Sequence, residues 1–413
     1  MKRALFCWEH GAGSGHVIPY LSLIGALQSR GWQVSVVARN TAEVGARVQA
    51  SGAALLQAPV CLAIFPEMDS AAFSTTELLL QAGYGYEPML DGLFSSWLGL
   101  MRLSEPDLVI GSAAPTAHLA AQCLMIPDVA IGTGFDCRVA ASPAPLMRPW
   151  QQGIEQRIAV GEDRVRQTIN TGMLKHKFAR RQYAMDMYAN VPALLCTLAE
   201  LDHFGQYRNA DAEYLGTLTT ASSGCAVNEG AQTINVDIFV YLHYTPIIDG
   251  LLRALAKLPL STLVYMPNLS PAERQKLEVE YAETLTFAAN AINVGQILPT
   301  AKLIVSNAGH ALTMEALLAG KPLLLLPTHW EQSATAAVAV KLGAAISVAA
   351  NEQHHKFHRR IDQLLQSPAY REAAEQFSRR YRHSPKDALR RAVQVCERRA
   401  LSQAEPIKLL SVG

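Results

Sequence analysis

The chain opens on a regular alternation of short apolar runs and amphipathic segments. Ala4–Trp8 is apolar throughout, and the segment from about His16 to Arg30 has apolar residues three or four positions apart, namely Val17, Tyr20, Leu21, Ile24 and Leu27. That spacing predicts a helix with one apolar face, which ends at Gly31. The next apolar run, Gln33–Ala38, completes a predicted β-α-β unit.

The same alternation recurs along the rest of the chain. In the first half, Asp107–Gly111 and Asp128–Gly132 are predicted strands on either side of a helix at Pro115–Met125. In the second half, four further strands alternate with three helices: strands Ile238–Leu242, Thr262–Met266, Leu303–Ser306 and Pro322–Leu326, and helices Ile247–Leu258, Pro271–Tyr281 and Leu312–Ala319. Strands that alternate with helices build parallel sheets, so we predict a doubly wound α/β protein.

A stretch without any apolar period separates the two series. Residues 217–233 are small and polar, which is typical of a linker. We therefore predict an N-terminal domain over 1–216 and a C-terminal domain over 234–384, with a ligand cleft at the carboxyl ends of their strands. Residues 385–413 begin with a basic helix that we expect to pack back on the N-terminal domain. We expect the arginines of this helix to lie on a solvated face, and contact with anionic lipid is the lesser alternative. They are Arg390, Arg391, Arg398 and Arg399.

Composition limits the classes of partner. The chain has 36 basic and 35 acidic residues, which argues against nucleic acid and against an anionic membrane and favours a small or neutral partner. The seven cysteines are scattered, which predicts buried thiols in a reducing compartment instead of a disulfide framework or metal site. No apolar run approaches the roughly 20 residues of a membrane-spanning helix. We expect a cytoplasmic protein.

A glycine-rich loop lies between the first predicted strand and helix. Gly11-Ala12-Gly13-Ser14-Gly15-His16 allows a close ligand approach, and the helix N-terminus that follows offers free backbone N–H groups. A nicotinamide-dinucleotide site needs glycine at position 16 and an acidic residue after the second strand. The chain has His16 and Arg39-Asn40 instead, which disfavours that site, although Arg39 leaves a phosphorylated cofactor open.

The segment Gly15-His16-Val17-Ile18-Pro19, followed by Arg30-Gly31-Trp32, resembles the opening of the bacterial and plant UDP-glycosyltransferases of family 1, which include macrolide and flavonoid enzymes. The resemblance implies a GT-B fold, in which two Rossmann-like domains face each other across a cleft. It also implies that His16 is the general base that deprotonates the acceptor hydroxyl, a role that suits an imidazole of near-neutral pKa. The alternative is that His16 only caps the helix.

The aspartate that polarises this histidine in many relatives is missing from its usual place. The matching stretch is Pro106-Asp107-Leu108-Val109-Ile110-Gly111-Ser112, which has Ser112 at that position. Glu9, His10 and Asp136 are the groups in nearby loops that can replace it.

A second motif extends over residues 296–348 and resembles the donor-binding segment of the same superfamily, with its Q-x-L-P element, glycine loop and Glu-Gln pair in order. The loop Asn307–Ala311 leads into a helix whose N-terminus can hold a diphosphate. The resemblance implies that Glu315 binds the ribose and that Glu331 and Gln332 bind the sugar hydroxyls. It assigns the nucleotide-sugar site to Gly13, Gln296, Asn307, Gly309, His310, Thr313, Glu315, Glu331 and Gln332.

This loop departs from the family pattern at four positions. Asn307 replaces the histidine that touches the pyrophosphate, Ala308 and Ala311 replace glycines, and Leu312 replaces a threonine. Asn307 can still donate to a phosphate oxygen, and His310 can supply the missing imidazole. Altered donor affinity or altered chemistry follows from these changes.

The predicted activity is transfer of a sugar from a UDP-sugar type of donor to a small-molecule hydroxyl, with inversion and without a metal or other cofactor. The aromatic residues between Pro59 and Leu103 favour an apolar or aromatic acceptor, unless they only pack in the core. His354, His355 and His358 have a spacing that suits metal ligands, but a solvated helix face is the preferred interpretation. The rival hypotheses are a catalytically silent nucleotide sensor or partner protein, and a nucleotide-sugar epimerase.

Overall fold

A computed structural model describes residues 1–11, 13–61, 72–147, 152–176, 178, 180–209, 212–218, 233–245, 247–348, 356–381 and 387–402. The chain divides into two compact units. The N-terminal unit contains residues 1–219 and 387–413, and the C-terminal unit contains residues 220–386. Most of the predicted linker at 217–233 lies outside the described residues.

The N-terminal unit contains a six-stranded parallel sheet. The strand order is β3-β2-β1-β4-β5-β6. The strands are β1 Arg3–Trp8, β2 Gln33–Ala38, β3 Ala54–Gln57, β4 Leu108–Ser112, β5 Asp128–Gly132 and β6 Ala193–Leu195. The four strands predicted in this half are confirmed to within one residue, because each is an apolar run bounded by turn residues.

Helices cover both faces of this sheet. They are α1 Leu21–Gln28, α2 Thr41–Ala50, α3 Thr75–Leu79, α4 Glu87–Ser104, α5 Pro115–Cys123 and α6 Glu155–Lys175. Alternate residues of β1 point to opposite faces: Phe6 and Trp8 lie in the core under α1, whereas Leu5 and Cys7 lie in the core under α4, α5 and α6. The sheet is therefore buried on both sides, as the uninterrupted apolar strands require.

The first helix begins later than the sequence pattern predicts. Two 3₁₀ turns, Ser14–His16 and Ile18–Tyr20, come first, and α1 begins at Leu21. Pro19 has no N–H group to bond to the carbonyl of Gly15, so an α-helix cannot run through it from His16. The predicted start at His16 is wrong for this reason.

The aromatic stretch before Leu103 contains α4. Tyr84, Phe94 and Trp97 are buried in the core between the sheet and helices α4 to α6, while Tyr86 is exposed. For these three buried residues core packing is the observed role. Phe65 lies outside the described residues.

The C-terminal unit repeats the architecture with the strand order β12-β11-β10-β7-β8-β9, again all parallel. Its strands are β7 Ile238–Tyr241, β8 Thr262–Tyr265, β9 Thr286–Phe287, β10 Leu303–Ser306, β11 Leu323–Leu325 and β12 Ala345–Ser347. Its helices are α7 Ile248–Leu255, α8 Pro271–Glu280, α9 Val294–Ile297, α10 His310–Leu318, α11 Trp330–Lys341, α12 Phe357–Gln366 and α13 Pro368–Tyr381.

The last helix, α14 (Ala388–Leu401), belongs to the N-terminal unit. Its Ala392, Val393 and Cys396 lie in the same core as α1. Arg391 pairs with Glu213, and Arg399 donates to the backbone carbonyls of Asp128 and Asn190 at 3.2 and 3.1 Å. The prediction of a solvated face is wrong for these two arginines, whose partners lie on other segments of the unit, whereas Arg390 and Arg398 are exposed.

Cysteines and histidines in the described part of the chain have no cross-link or metal arrangement. Six cysteines are free thiols, and all of them except Cys61 are buried. His358 pairs with Asp362 on α12, while His354 and His355 lie outside the described residues. Within the described ranges, no group of three or more His, Cys, Asp or Glu residues is arranged to hold a metal ion. None of the helices there is both long enough and apolar enough to cross a membrane.

Candidate active site

The carboxyl ends of β1 and β5 bring His16 and Asp136 together. The two strands flank β4, and the loops that follow them carry the two side chains across the end of that strand. Nδ1 of His16 lies 3.5 Å from Oδ1 of Asp136, and the two side chains are only 15% and 7% exposed. The two groups form no hydrogen bond in the described structure, but a carboxylate at this distance can stabilise the protonated imidazole.

Asp136 is itself held by its own loop. Its Oδ2 accepts hydrogen bonds from the backbone N–H and the hydroxyl of Thr133, both at 3.0 Å. Its other oxygen is therefore directed at His16. Ser112, at the end of β4, is fully buried, and its hydroxyl has no partner in the described structure. The end of β4 thus carries no carboxylate, and the carboxylate beside His16 comes from the loop after β5.

The imidazole of His16 is enclosed on two further sides. The Trp8 ring stacks on it with a centroid separation of 5.6 Å and an interplanar angle of 18°. The loop residue Gly11 lies against Nε2 of His16 and has a φ of 86°, which disfavours any other residue. Trp8, Gly11 and Asp136 thus surround the imidazole on three sides.

We expect Gly11→Ala to displace this imidazole. A methyl group at Gly11 would overlap the His16 ring, and the positive φ adds backbone strain of about 1 kcal/mol or more. Because an error of about 1 Å in a catalytic group can cost about 10²-fold in rate, we expect a loss of that order in kcat. Steady-state kinetics would measure it, with Gly15→Ala as control, because a Cβ at Gly15 meets no neighbouring atom within 4 Å. Unchanged kcat in Gly11→Ala would contradict this account of how His16 is placed.

Glu9 and His10, the other two groups considered as partners of His16, belong to a separate buried cluster. Glu9 accepts hydrogen bonds from the backbone N–H of Thr116, at 2.8 Å, and from the Thr116 hydroxyl, which also pairs with Tyr84. Nε2 of His10 lies 3.5 Å from Glu9, and burial is the main cause that lowers the pKa of His10. Among the three alternatives, the structure places Asp136 beside His16.

In the C-terminal unit, the corresponding sheet edge is organised by Asn307. Its side-chain oxygen accepts from the backbone N–H of His243, after β7, at 2.7 Å, and its amide donates to the carbonyl of Leu326, after β11, at 2.8 Å. Asn307 therefore joins the ends of three neighbouring strands. A direct bond from this amide to a phosphate would have to use its second hydrogen.

Helix α10 presents an open N-terminus at the same edge. Its N-cap residue Gly309 supplies no side-chain cap, and there is no acidic residue in its first turn. The backbone N–H groups of this turn lack intrahelical acceptors, so they are available to an anion. Ala308, before it, has a φ of 63°, a left-handed conformation that favours glycine.

Two of the predicted donor residues on α10 are buried. Thr313 is fully buried, and its hydroxyl has no hydrogen-bond partner in the described part of the chain. His310, the first residue of the helix, is 8% exposed. Thr313 therefore lies in the interior of the C-terminal unit. A direct contact from its side chain to a donor is not supported.

Glu315 is the residue on α10 with the clearest capacity to bind a ligand. It is half-buried, and burial alone raises the pKa of its carboxyl above the usual range. Among the described residues, no hydrogen bond or ion pair contributes to that shift. A partly desolvated carboxylate without a partner is suited to accept hydrogen bonds from a polyhydroxyl ligand.

The first turn of α11 carries the predicted Glu-Gln pair. Oε1 of Gln332 accepts from the backbone N–H and the hydroxyl of Thr328, both at 2.9 Å, which leaves its amide N–H groups for a ligand. Glu331 is half-buried in the same turn. His329, just before the helix, has a pKa lowered by desolvation and by nearby His243. Neither histidine was predicted, although each follows the carboxyl end of a strand, a position at which α/β proteins bind ligands.

The remaining two predicted residues lie elsewhere. Gln296 is in α9, which follows β9 at the edge of the C-terminal sheet, and its carbonyl accepts from the N–H of Ile234. Gly13 lies in the N-terminal unit, in the turn before Ser14–His16, with a φ of 86°.

Comparison with known proteins supports the same architecture. Residues 282–394 match the family model described as the erythromycin biosynthesis protein CIII-like C-terminal domain. No match was found among curated protein sequences. Among solved structures, the chain is similar to the glycosyltransferase of kitacinnamycin at 18% identity and a TM-score of 0.69, covering 97% of this chain and 99% of that one.

Two other solved structures are similar over the whole length. The calicheamicin glycosyltransferase CalG4 is 17% identical with a TM-score of 0.70, covering 96% of this chain and 98% of that one. The spinosyn rhamnosyltransferase SpnG, solved with spinosyn aglycone, is 18% identical with a TM-score of 0.65, covering 95% and 100%. SpnG was also solved with thymidine diphosphate.

These matches confirm the predicted fold of two Rossmann-like domains. They extend over nearly the full length of the chain, although the sequence identities are low. The chain therefore has the GT-B fold of these solved structures, and its residues 282–394 match an EryCIII-like C-terminal domain.

Proposed function

We propose that the protein transfers a sugar from a nucleoside-diphosphate donor to a hydroxyl group of a small-molecule acceptor. The observation that carries this proposal is the His16–Asp136 pair at the carboxyl edge of the N-terminal sheet. An imidazole oriented by a carboxylate is the arrangement required to remove a proton from an alcohol. A silent nucleotide sensor would not need such a pair.

The C-terminal unit would bind the nucleotide-sugar donor. The N–H groups at the start of α10 would bind the diphosphate, and the helix dipole would favour its negative charge. The partnerless Glu315 would accept hydrogen bonds from the ribose, and Glu331 and Gln332 would meet the sugar. The thymidine diphosphate complex of SpnG supports a nucleoside diphosphate as the ligand class.

The reaction follows from these two groups of residues. His16 takes the proton of the acceptor hydroxyl as its oxygen forms a bond to the anomeric carbon. The bond between that carbon and the diphosphate oxygen breaks, and the electron pair leaves with the nucleoside diphosphate. A single displacement of this kind inverts the anomeric centre. Because α10 can neutralise the leaving group with backbone N–H groups, the mechanism does not require a metal.

The N-terminal unit is proposed to bind a small apolar or aromatic acceptor. The spinosyn aglycone complex of SpnG supports a small organic acceptor. His16 and the exposed Gly11 beside it would form the part of the N-terminal unit against which the reacting hydroxyl lies.

Donor binding tests the proposal through Glu315. We expect one member of a panel of UDP- and dTDP-sugars to bind the wild type, and Glu315→Ala to weaken that binding by about 10- to 100-fold, the value of hydrogen bonds to a charged group. The raised pKa of Glu315 means that its carboxylate is protonated at a higher pH than an exposed glutamate. Affinity for the nucleotide sugar should therefore fall as the pH is lowered from 8 towards 5. Titration calorimetry at several pH values would measure both effects.

Glu315→Gln is the matched variant, since it keeps the shape of the side chain but cannot titrate. We expect it to bind more weakly than the wild type at pH 8 and with an affinity that no longer falls as the pH is lowered. Glu375→Gln, on α13 at a half-exposed position, is the control and should leave the affinity unchanged. If no nucleotide sugar binds the wild type, or if Glu315→Ala binds it equally well, the donor site is not where we place it.

A further inference from the structure

Glu9 is a buried carboxylate at the beginning of the loop that carries His16. It is the first residue after β1 and is 2% exposed. Its carboxylate accepts hydrogen bonds from the backbone N–H of Thr116, at 2.8 Å, and from the Thr116 hydroxyl. Its backbone carbonyl accepts from Arg39, directly after β2, at 3.0 Å. Glu9 therefore fixes the start of this loop to α5, which follows β4, and to the end of β2.

Arg138 is a buried cation in the loop that carries Asp136. The residue is 6% exposed, and its Nε and Nη1 atoms have no hydrogen-bond partner in the described structure. These atoms lie towards the Glu9 carboxylate. Arg138 and Glu9 both act electrostatically on the same three side chains, which are those of His10, Tyr84 and Tyr188. Because this surrounding is largely closed to water, the attraction between the two charges is weakly screened.

The turn that contains Arg138 is hydrogen-bonded within itself. The backbone N–H groups of Asp136 and Cys137 both donate to the carbonyl of Thr133 at 3.1 Å, and the N–H of Arg138 donates to the carbonyl of Asp136 at 3.1 Å. The Asp136 carboxylate is bound to Thr133 as well. A displacement of Arg138 would therefore move Asp136 relative to His16.

We propose that Glu9 and Arg138 are positioning residues, whose attraction holds the loop after β5 against the loop after β1 and so keeps the Asp136 carboxylate beside the imidazole of His16. The inference rests on the proposed function, because it assigns the two residues a role in that reaction. The buried pair and the catalytic pair join the same two segments of the chain. Glu9 and Arg138 act through Asp136 and not on the substrate.

Glu9→Gln tests the proposal, since it keeps the shape of the side chain and removes its charge. A buried Arg138 without a compensating carboxylate is unfavourable, so its guanidinium would move and take the turn of Asp136 with it. We expect kcat to fall by about 10- to 100-fold, the effect of displacing a catalytic group by about 1 Å. Donor affinity should not change, because the proposed donor residues belong to the C-terminal unit. Single-turnover kinetics and titration calorimetry with one nucleotide sugar would measure the two quantities.

Combination with Asp136→Asn separates a positioning role from a general loss of structure. If Glu9 acts through Asp136, Glu9→Gln should lower kcat by less than about 3-fold in a chain that already carries Asp136→Asn. Arg138→Met should lower kcat as Glu9→Gln does, and Arg138→Lys, which keeps the charge, should retain more of it. Losses of kcat that simply multiply in the Glu9→Gln/Asp136→Asn variant would overturn the proposal.

Asp128→Asn is the matched control. Asp128 is another buried carboxylate of the N-terminal unit, and it lies 2.9 Å from His118 and 3.5 Å from Arg399. It begins β5, so it lies at the opposite end of that strand from the Asp136 loop. We expect this variant to lower Tm, because it removes a buried charge from its partners, and to leave kcat unchanged at a temperature at which every variant is folded.

Glu9→Gln/Arg138→Met is the second variant, for the case in which Glu9→Gln alone does not fold. It leaves neither charge of the pair buried without the other, so its Tm should lie closer to that of the wild type than the Tm of either single variant. Its kcat should stay low, because the attraction between the two loops is lost. Wild-type kcat in this variant, with Asp136→Asn impaired, would overturn the positioning role alone. If the wild type transfers sugar from no nucleotide sugar, the proposed function fails and this inference fails with it.

Discussion

Replacing His16 by alanine is expected to lower kcat for sugar transfer by about 10²- to 10⁴-fold, the usual contribution of a general base. The imidazole is the group that accepts the proton of the attacking hydroxyl in the proposed mechanism, and it is placed by Trp8, Gly11 and Asp136. Donor affinity should not change, because the donor residues belong to the C-terminal unit. Single-turnover kinetics and calorimetry with the same nucleotide sugar would measure the two quantities separately.

Asp136→Asn distinguishes a catalytic pair from a coincidental contact. This variant keeps the two bonds from Thr133 possible but removes the negative charge beside His16. We expect a large loss of kcat, and little further loss in the double variant with His16→Ala, because the two residues act as one unit. His358→Ala, at an exposed position of α12, is the control and should behave as the wild type does. Full activity of Asp136→Asn would show that another group orients the imidazole.

Asp202→Ala is expected to destabilise the N-terminal unit by about 3 to 5 kcal/mol, the effect of removing one partner from a buried ion pair. The Asp202 side chain is fully buried and binds Nε of Arg208 at 2.6 Å, the Tyr214 hydroxyl at 3.0 Å and the backbone N–H of Phe204 at 3.0 Å. The variant would leave the Arg208 guanidinium buried without its carboxylate. Urea unfolding followed by tryptophan fluorescence would report on this unit, which contains Trp8, Trp32 and Trp97.

Glu397→Ala provides the comparison for that experiment. Glu397 pairs with Arg30 at 3.0 Å on the surface of the same unit, where the side chains are 31% and 47% exposed. Exposed ion pairs contribute about 0 to 1 kcal/mol, so its unfolding midpoint should stay close to that of the wild type. Equal destabilisation by both substitutions would mean that burial of Asp202 is not the cause of the lost stability.

The secondary structure could be predicted where the apolar pattern was unambiguous. Strands such as Gln33–Ala38, Asp128–Gly132 and Leu303–Ser306 agree with the structure because a fully buried parallel strand is a short, continuous apolar run between turn residues. Helix α6 was not predicted, because its 21 residues are largely polar, with few buried positions among them. Its place is decided by contacts with α3 and α4, which a local pattern does not contain.

The donor motif predicted the location of the site better than the roles of its residues. The order of Asn307, Glu315 and Gln332 along the chain indicated the loop and the two helices that follow. Spacing alone does not reveal which side of a helix packs on the sheet. The structure places Thr313 in the core and uses the Asn307 amide to join strand ends, and it leaves Glu315 without a partner.

The sequence by itself determined the two α/β halves, the glycine loops and the identity of His16 as a candidate base. These features depend on neighbouring residues, whose periodicity and turn chemistry are local properties. Only the tertiary structure decided which carboxylate lies beside His16. Asp136 lies far along the chain, and it meets His16 because β1 and β5 end at the same edge of one parallel sheet on either side of β4.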